Sequence, residues 1–225
     1  MEQLLTANSA TSMYWLGRYL QRLEGTLFEI NKAYDLIIDV DKKAGTVLYK
    51  KFDIDLKYVS AMDFLHKAIR GKHPANLAEM MLQARENAII SRAYIDGVAF
   101  GEIIALNDLF QTMQTKRSHI DYNDLDKALS LIMIIWGAHA HRGHRRSSDY
   151  FFKLGKLVEE VDLRLRLGKE KAMTELILKE INTAIKILNP DLDIFDNCPR
   201  EYIEELPYAI MECIYATIDK LIIEE

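Results

Sequence analysis

The sequence predicts an all-α fold, a single-domain bundle of about seven or eight helices, and three observations predict it. Hydrophobic residues fill 49% of the 225 positions, while glycine and proline number only 10 and 4, a balance that favours long helices over turn-rich β structure. Apolar residues recur at helical spacing between capping residues, and no stretch alternates as a strand would. The pattern of residues 13–24 returns at 151–162, an offset of 138: Leu16-Gly17-Arg18 is answered by Leu154-Gly155-Lys156, and Glu24 by Asp162.

The elements follow in order. Asn8 or Ser9 can cap a first helix that runs to about Asp39, and residues 41–45 form a polar break. A second helix is expected over 56–69, stopped by Pro74. Asn76 caps a third, to Tyr94; Asp96-Gly97 breaks it from a fourth over 98–115. Asp121 or Asn123 opens a fifth, whose run 129–136 reads as buried on nearly all sides, ending in the basic segment 139–146. Ser147 or Ser148 begins the sixth, which stops near Gly168; the seventh covers 169–188 and halts at Asn189-Pro190. After a loop at 191–199, Pro207 interrupts the last helical region, 200–225. Residues 1–225 thus read as one helical domain, with its motifs in 8–167 and further helices in 169–225.

With about 3.6 residues per turn, Leu16, Leu20, Leu23, Leu27 and Ile30 form one apolar stripe, and Leu154, Val158, Val161 and Leu165 form another. Gly17 and Gly155 flank these stripes. Glycine inside a helix costs about 1 kcal/mol relative to alanine, so two glycines at matching places point to a close helix–helix approach. The two motif helices are expected either to pack together or to hold equivalent places in two halves. Gln21 and Glu24, with Glu159 and Asp162 in the second copy, fall beside the stripes rather than opposite them. Side by side, the helices would gather these groups in a shared interior, with Arg18 and Lys156 at its edge. Buried carboxylates need a base, a metal or hydrogen-bond donors.

Composition bounds the function. A net charge of −5 argues against nucleic-acid binding by bulk charge. Cys198 and Cys213, with no CxxC spacing, neither staple a fold nor build a zinc site. The first residues lack a basic and apolar leader pattern, and the longest apolar stretch, 128–140, is too short to span a membrane. A cytoplasmic protein is expected.

Two further clusters stand out. Arg85 and Arg92, seven apart, share a helical face; with Glu79 and Glu86 the spacing favours a solvated, salt-bridged face over a site that holds a phosphate or carboxylate. Segment 139–146 holds His139, His141, His144, Arg142, Arg145 and Arg146; it suits a helix end or an anion site better than a metal. The sequence contains no Glu-x-x-His, P-loop, dinucleotide glycine fingerprint, G-x-S-x-G or H-E-x-x-H pattern. It identifies no cofactor.

Three blocks resemble the Alpha-E family in its order. They are Tyr14-Trp15-Leu16-Gly17-Arg18-Tyr19-Leu20 with Glu24, then Ala84-Arg85-Glu86-Asn87-Ala88 with Arg92, then 137–145 followed by Phe151-Phe152-Lys153-Leu154-Gly155-Lys156. The resemblance implies an all-helical protein associated with circularly permuted ATP-grasp proteins and often with transglutaminase-like proteins, in a setting of amide-bond formation or peptide modification. It places the family's characteristic acids and bases on Arg18, Glu24, Arg85, Glu86 and Arg92. Departures fall at Gln21, where the family has a second Glu, at Lys156, where it has Arg, and at Asp162. The expectation is a component of an ATP-grasp-linked amide-ligation or peptide-modification system. Glu24, Glu86, Glu159 and Asp162 are its candidate catalytic acids; Arg18, Arg85, Arg92 and Lys156 would hold substrate. The alternatives are a non-enzymatic helical scaffold and, third, a metal-dependent hydrolase using the carboxylates with His141 or His144.

Overall fold

The computed structural model describes residues 5–115, 120, 122–142, 146–196 and 198–223. These form ten α-helices and no strand: α1 (Ala7–Asp39), α2 (Ala44–Lys50), α3 (Ala61–Arg70), α4 (Leu77–Ile90), α5 (Gly97–Thr115), α6 (Tyr122–Arg142), α7 (Ser147–Leu167), α8 (Lys171–Leu188), α9 (Arg200–Glu205) and α10 (Ile210–Ile223). A 3-10 turn, Arg92–Tyr94, follows α4. The all-α expectation holds, but the count exceeds seven or eight. The main addition is α2, whose first two residues fall in the stretch 41–45 read from sequence as a polar break. That glycine is buried inside the helix, where a β-carbon would collide with the Phe64 ring and lie 2.9 Å from Tyr58. Gly45 is there for packing and does not end a helix.

The chain folds into two compact units, Met1–Gln21 with Gly143–Glu225, and Arg22–Arg142. In the first, α7 packs on α8, and α8 also meets α10. The expected pairing of the motif helices is found here: α1 crosses α7 with Gly17 against Gly155. A β-carbon at Gly17 would overlap the Phe152 carbonyl oxygen and stand 3.0 Å from the Lys156 nitrogen; one at Gly155 would overlap the Tyr14 carbonyl. The predicted stripes are correspondingly buried, with Leu16, Leu20, Leu154, Val158 and Val161 fully enclosed. The Arg146 N–H donates to Asp149 Oδ2 at 3.1 Å to open α7, and Gly168, at φ +65°, closes it. Leu206, in the same left-handed region at φ 51°, and Pro207 separate α9 from α10.

In the second unit, α5 packs against both α4 and α6, and α3 joins α4 and α5. α6 corrects the expectation of a helix buried on nearly all sides. Leu125, Ala128, Ile132 and Ile135 form its buried stripe, whereas Met133 and Ile134 are exposed, so the run is apolar beyond the face that packs. Asp121, one of the two proposed openers, lies outside the described residues; α6 starts at Tyr122. α3 starts five residues later than expected, at Ala61, because Ser60 accepts from the Asp63 N–H at 3.1 Å while Asp63 Oδ2 accepts from the Val59 N–H at 2.9 Å.

Two outcomes follow from this packing. Helix propensity alone would reward Gly17→Ala by about 1 kcal/mol, but the new methyl meets main chain, which cannot rotate away. Gly17→Ala is expected to destabilise by about 1–3 kcal/mol, a fall in Tm of about 2–4 °C per kcal/mol. Gly101→Ala in α5, where a β-carbon meets nothing within 4 Å, should instead raise Tm. Thermal unfolding of the two variants checks for these opposite signs.

The second outcome concerns pH. The Lys67 ammonium, donating to Asp63 Oδ2 at 2.9 Å, holds the Asp63 carboxyl below its ordinary value of 3.8, outweighing the opposing effect of burial. A depressed folded pKa gives stability that is complete above 3.8 and lost as pH falls through the lower folded value. The stability gap between the parent and Asp63→Asn should therefore be widest near neutral pH and close below pH 3.8, as read by urea unfolding across that range.

Candidate functional site

The close crossing of α1 and α7 sets Arg18, next to Gly17, against the turn of α7 that follows Gly155. Arg18 Nε donates to Glu159 Oε2 at 2.8 Å, and Nη2 lies 2.7 Å from the same oxygen. Nη2 also donates to the Tyr215 hydroxyl at 3.1 Å. The guanidinium carbon sits 5.1 Å from the ring centroids of both Trp15 and Tyr215, and 5.9 Å from that of Tyr14. Arg18 is 5% exposed and Glu159 0%. Two opposite charges removed this far from water are tolerated only as a close pair with further polar and aromatic partners, and a planar guanidinium suits such a site better than an ammonium. Burial works against the Arg18 charge, but the Glu159 carboxylate overcomes it, so Arg18 remains cationic at any ordinary pH.

Asp162, three residues beyond Glu159, extends the cluster outward. Its Oδ2 lies 3.8 Å from Arg18 Nη2, and its Oδ1 accepts from the Tyr208 hydroxyl at 2.6 Å and from Arg166 Nε at 3.0 Å. Arg166 also donates to the Tyr208 hydroxyl and stacks over its ring at 4.7 Å. Burial, followed by the Asp162 hydrogen bond, pushes the Tyr208 phenol up to about 12, so it stays a proton donor at neutral pH. Burial likewise raises Tyr14 and Tyr215. Tyr208 is exposed and Arg166 half-buried, so this end of the cluster reaches the surface. Two carboxylates and two guanidiniums balance each other along its length.

The other singled-out residues are dispersed. Arg18 is not at the edge of the interior, as its helical angle implied, but at its centre, because Trp15, Tyr215 and Glu159 cover it. Glu24 belongs to the second unit, where its Oε2 accepts from Trp136 Nε1 at 3.1 Å. Gln21 is buried in the first unit, and its Oε1 accepts no hydrogen bond from the described residues. Lys156 is half-buried on α7. Arg85 donates to exposed Glu86 at 2.8 Å. Arg92 does not share its face, because α4 ends at Ile90; it caps the 3-10 turn through Ile95 O at 3.2 Å and lies 4.4 Å over the Phe100 ring. His139 is buried and His141 exposed, while His144, Arg145 and the Arg142 side chain lie outside the described residues. Among the described residues, no group of three or more His, Cys, Asp or Glu is placed to hold a metal ion.

Sequence reasoning missed Arg166, Tyr208 and Tyr215. Arg166 carried a weak signal, lying one turn after Asp162; the tyrosines carried none, since their roles exist only after the C-terminal helices pack back on α7. It also missed that the free thiols Cys198 and Cys213 share a hydrogen bond; burial first and this partner second push the Cys198 thiol up to about 12, making it a poor nucleophile near neutral pH.

A family model, Alpha-E, described as a predicted alpha-helical domain with a conserved ER motif, matches residues 5–189. No curated protein and no solved structure matches the chain. The sequence contains no Glu-Arg dipeptide; Gln21-Arg22 stands in the first motif block at the place where the resemblance puts a Glu. The match takes in every helix from α1 to α8, with the acids of the charge cluster on α7, and on that span the chain belongs to the Alpha-E family.

Proposed function

We propose that this chain is the helical component of an ATP-grasp-linked amide-ligation or peptide-modification system, and that it meets its substrate or partner at the Asp162–Tyr208–Arg166 end of the charge cluster. A transglutaminase-like protein is a second candidate partner. The observation that carries this reading is the cluster itself: two family-matched helices are locked by a buried guanidinium–carboxylate pair that continues, through Asp162, to a phenol and a guanidinium at the surface. Arg166 could bind a carboxylate or phosphate there. Asp162, with Tyr208 as its proton-bearing neighbour, is the carboxylate best placed to hold a substrate amine or exchange a proton with it. Glu159, enclosed and committed to Arg18, is better suited to positioning than to proton transfer. Glu24, Glu86, Arg85, Arg92 and Lys156 lie outside this arrangement as the reading uses it.

The complete enclosure of Glu159 also favours a second reading, a non-enzymatic scaffold in which the cluster only ties helices together. Glu159→Gln should destabilise strongly under either, by about 3–5 kcal/mol, because it strands a buried charge. Tyr208→Phe separates the two. It removes one hydroxyl at the surface end of the cluster, and losing its hydrogen bond to the Asp162 carboxylate should cost about 1–3 kcal/mol, less than Glu159→Gln. With a co-purified ATP-grasp protein, addition of the parent chain should stimulate ATP turnover, and Tyr208→Phe and Asp162→Asn should lower that stimulation by about tenfold or more. Undiminished stimulation by both variants would favour the scaffold; no binding and no stimulation by the parent would sink the ligation-system reading.

A further inference from the structure

The second unit carries a separate polar groove between α4 and α5, with a volume of about 420 Å³. That is within the range of roughly 300–1,000 Å³ typical of small-ligand sites. Asn107 lines it and is 6% exposed, and its Oδ1 accepts no hydrogen bond from the described residues. Its Nδ2 makes only a long contact, 3.5 Å, to Asp108 Oδ1. A buried acceptor left without a donor costs about 1–3 kcal/mol. A leucine would fill the same place without that cost, so the amide points to a donor that comes from outside the protein.

The charges around the groove say what kind of donor. Two acidic residues, Glu79 and Asp108, line it together with one basic residue, Arg85. Glu79 has no ion pair among the described residues, and Arg85 makes one hydrogen bond there, to Glu86, leaving most of its five donors available. A polyamine would suit the two carboxylates and be repelled by Arg85; a phosphate would suit Arg85 and be repelled by the carboxylates. A ligand with an ammonium at one end and a carboxylate at the other offers a cation to the two acids and an anion to Arg85, and gives Asn107 Oδ1 its missing N–H. Gln111, also on the lining, can both donate to and accept from a peptide group between those ends.

We infer that the α4–α5 groove, through Arg85, Glu79, Asp108 and the buried Asn107, binds a small zwitterion of the amino-acid or dipeptide class. The inference lies wholly within the second unit and does not depend on the charge cluster of α1 and α7 or on any partner protein.

Titration calorimetry of the full chain with alanyl-alanine, N-acetyl-alanyl-alanine and alanyl-alanine amide tests it. The free dipeptide should bind, and each capped form should bind about tenfold more weakly or less, because each loses a charge-assisted hydrogen bond. Arg85→Met, on a half-exposed side chain, should weaken the free dipeptide about tenfold while leaving its preference for a free amine intact. Asn107→Leu should weaken binding with Tm unchanged or raised, as expected where a polar group is kept for binding at the cost of stability. If Asn107→Leu does not fold, the capped ligands and Arg85→Met decide alone. Absence of heat with free dipeptide at about 10 mM, or equal affinity for free and capped forms, would overturn the inference and leave a hydrated groove with water on Asn107.

Discussion

The first unit depends on one short contact between cation and anion, Arg18 with Glu159, and on the two glycines that allow it. Neither part works alone. Without Gly17 and Gly155 the main chains of α1 and α7 could not approach to where a β-carbon would overlap a carbonyl oxygen. A wider crossing would open the pair to water, or leave two charges buried and apart, each an expense of several kcal/mol. With the glycines, one carboxylate oxygen takes two guanidinium N–H groups, and aromatic rings close over the rest. The closeness that costs helix propensity at two positions is what makes the buried charge tolerable.

The two polar sites differ in how their charges are settled. Along α7 the acids and bases are matched within the protein, and the sequence of contacts runs from a sealed interior to an exposed phenol. In the α4–α5 groove acidic and basic residues line open volume and the buried amide oxygen is left over. A matched cluster resists change and can transmit position; an unmatched one can exchange water for a ligand. The chain therefore carries one polar cluster whose charges are settled within the protein and one groove whose buried amide oxygen is not.

Much of the fold was legible because helical periodicity and glycine cost are local properties. The stripe from Leu16 to Ile30 and the pairing of Gly17 with Gly155 could be read from spacing and from the cost of glycine inside a helix. The stretch 41–45 was read as a break because it is polar, whereas its glycine lies inside α2 and lets a tyrosine and a phenylalanine pack there, which spacing does not announce. Met133 and Ile134 were misread because hydrophobicity does not say which face has a neighbour. At the site, the acids at Glu159 and Asp162 announced themselves by recurring on an interior-facing angle. Their partners Tyr208, in the turn before α10, and Tyr215, on α10, did not, since no local pattern joins residues some fifty positions apart. The buried Asn107 was illegible for the same reason: an amide in a helix reads as surface until its neighbours are known.

The first unit also has a consequence for the order of events during synthesis. The unit that holds Met1–Gln21 is completed by Gly143–Glu225. At about 5–20 residues per second, the ribosome needs on the order of ten seconds to reach the matching helix after the first has emerged. During that wait Leu16, Leu20 and the Arg18 side chain have no native cover, and closing so long a loop is slow compared with local helix packing. The second unit, contiguous in the chain, can complete its own core in the meantime. A nascent chain thus holds every residue of the second unit before α7 is made, and it is at that stage that a chaperone would find the apolar stripe of α1 to hold.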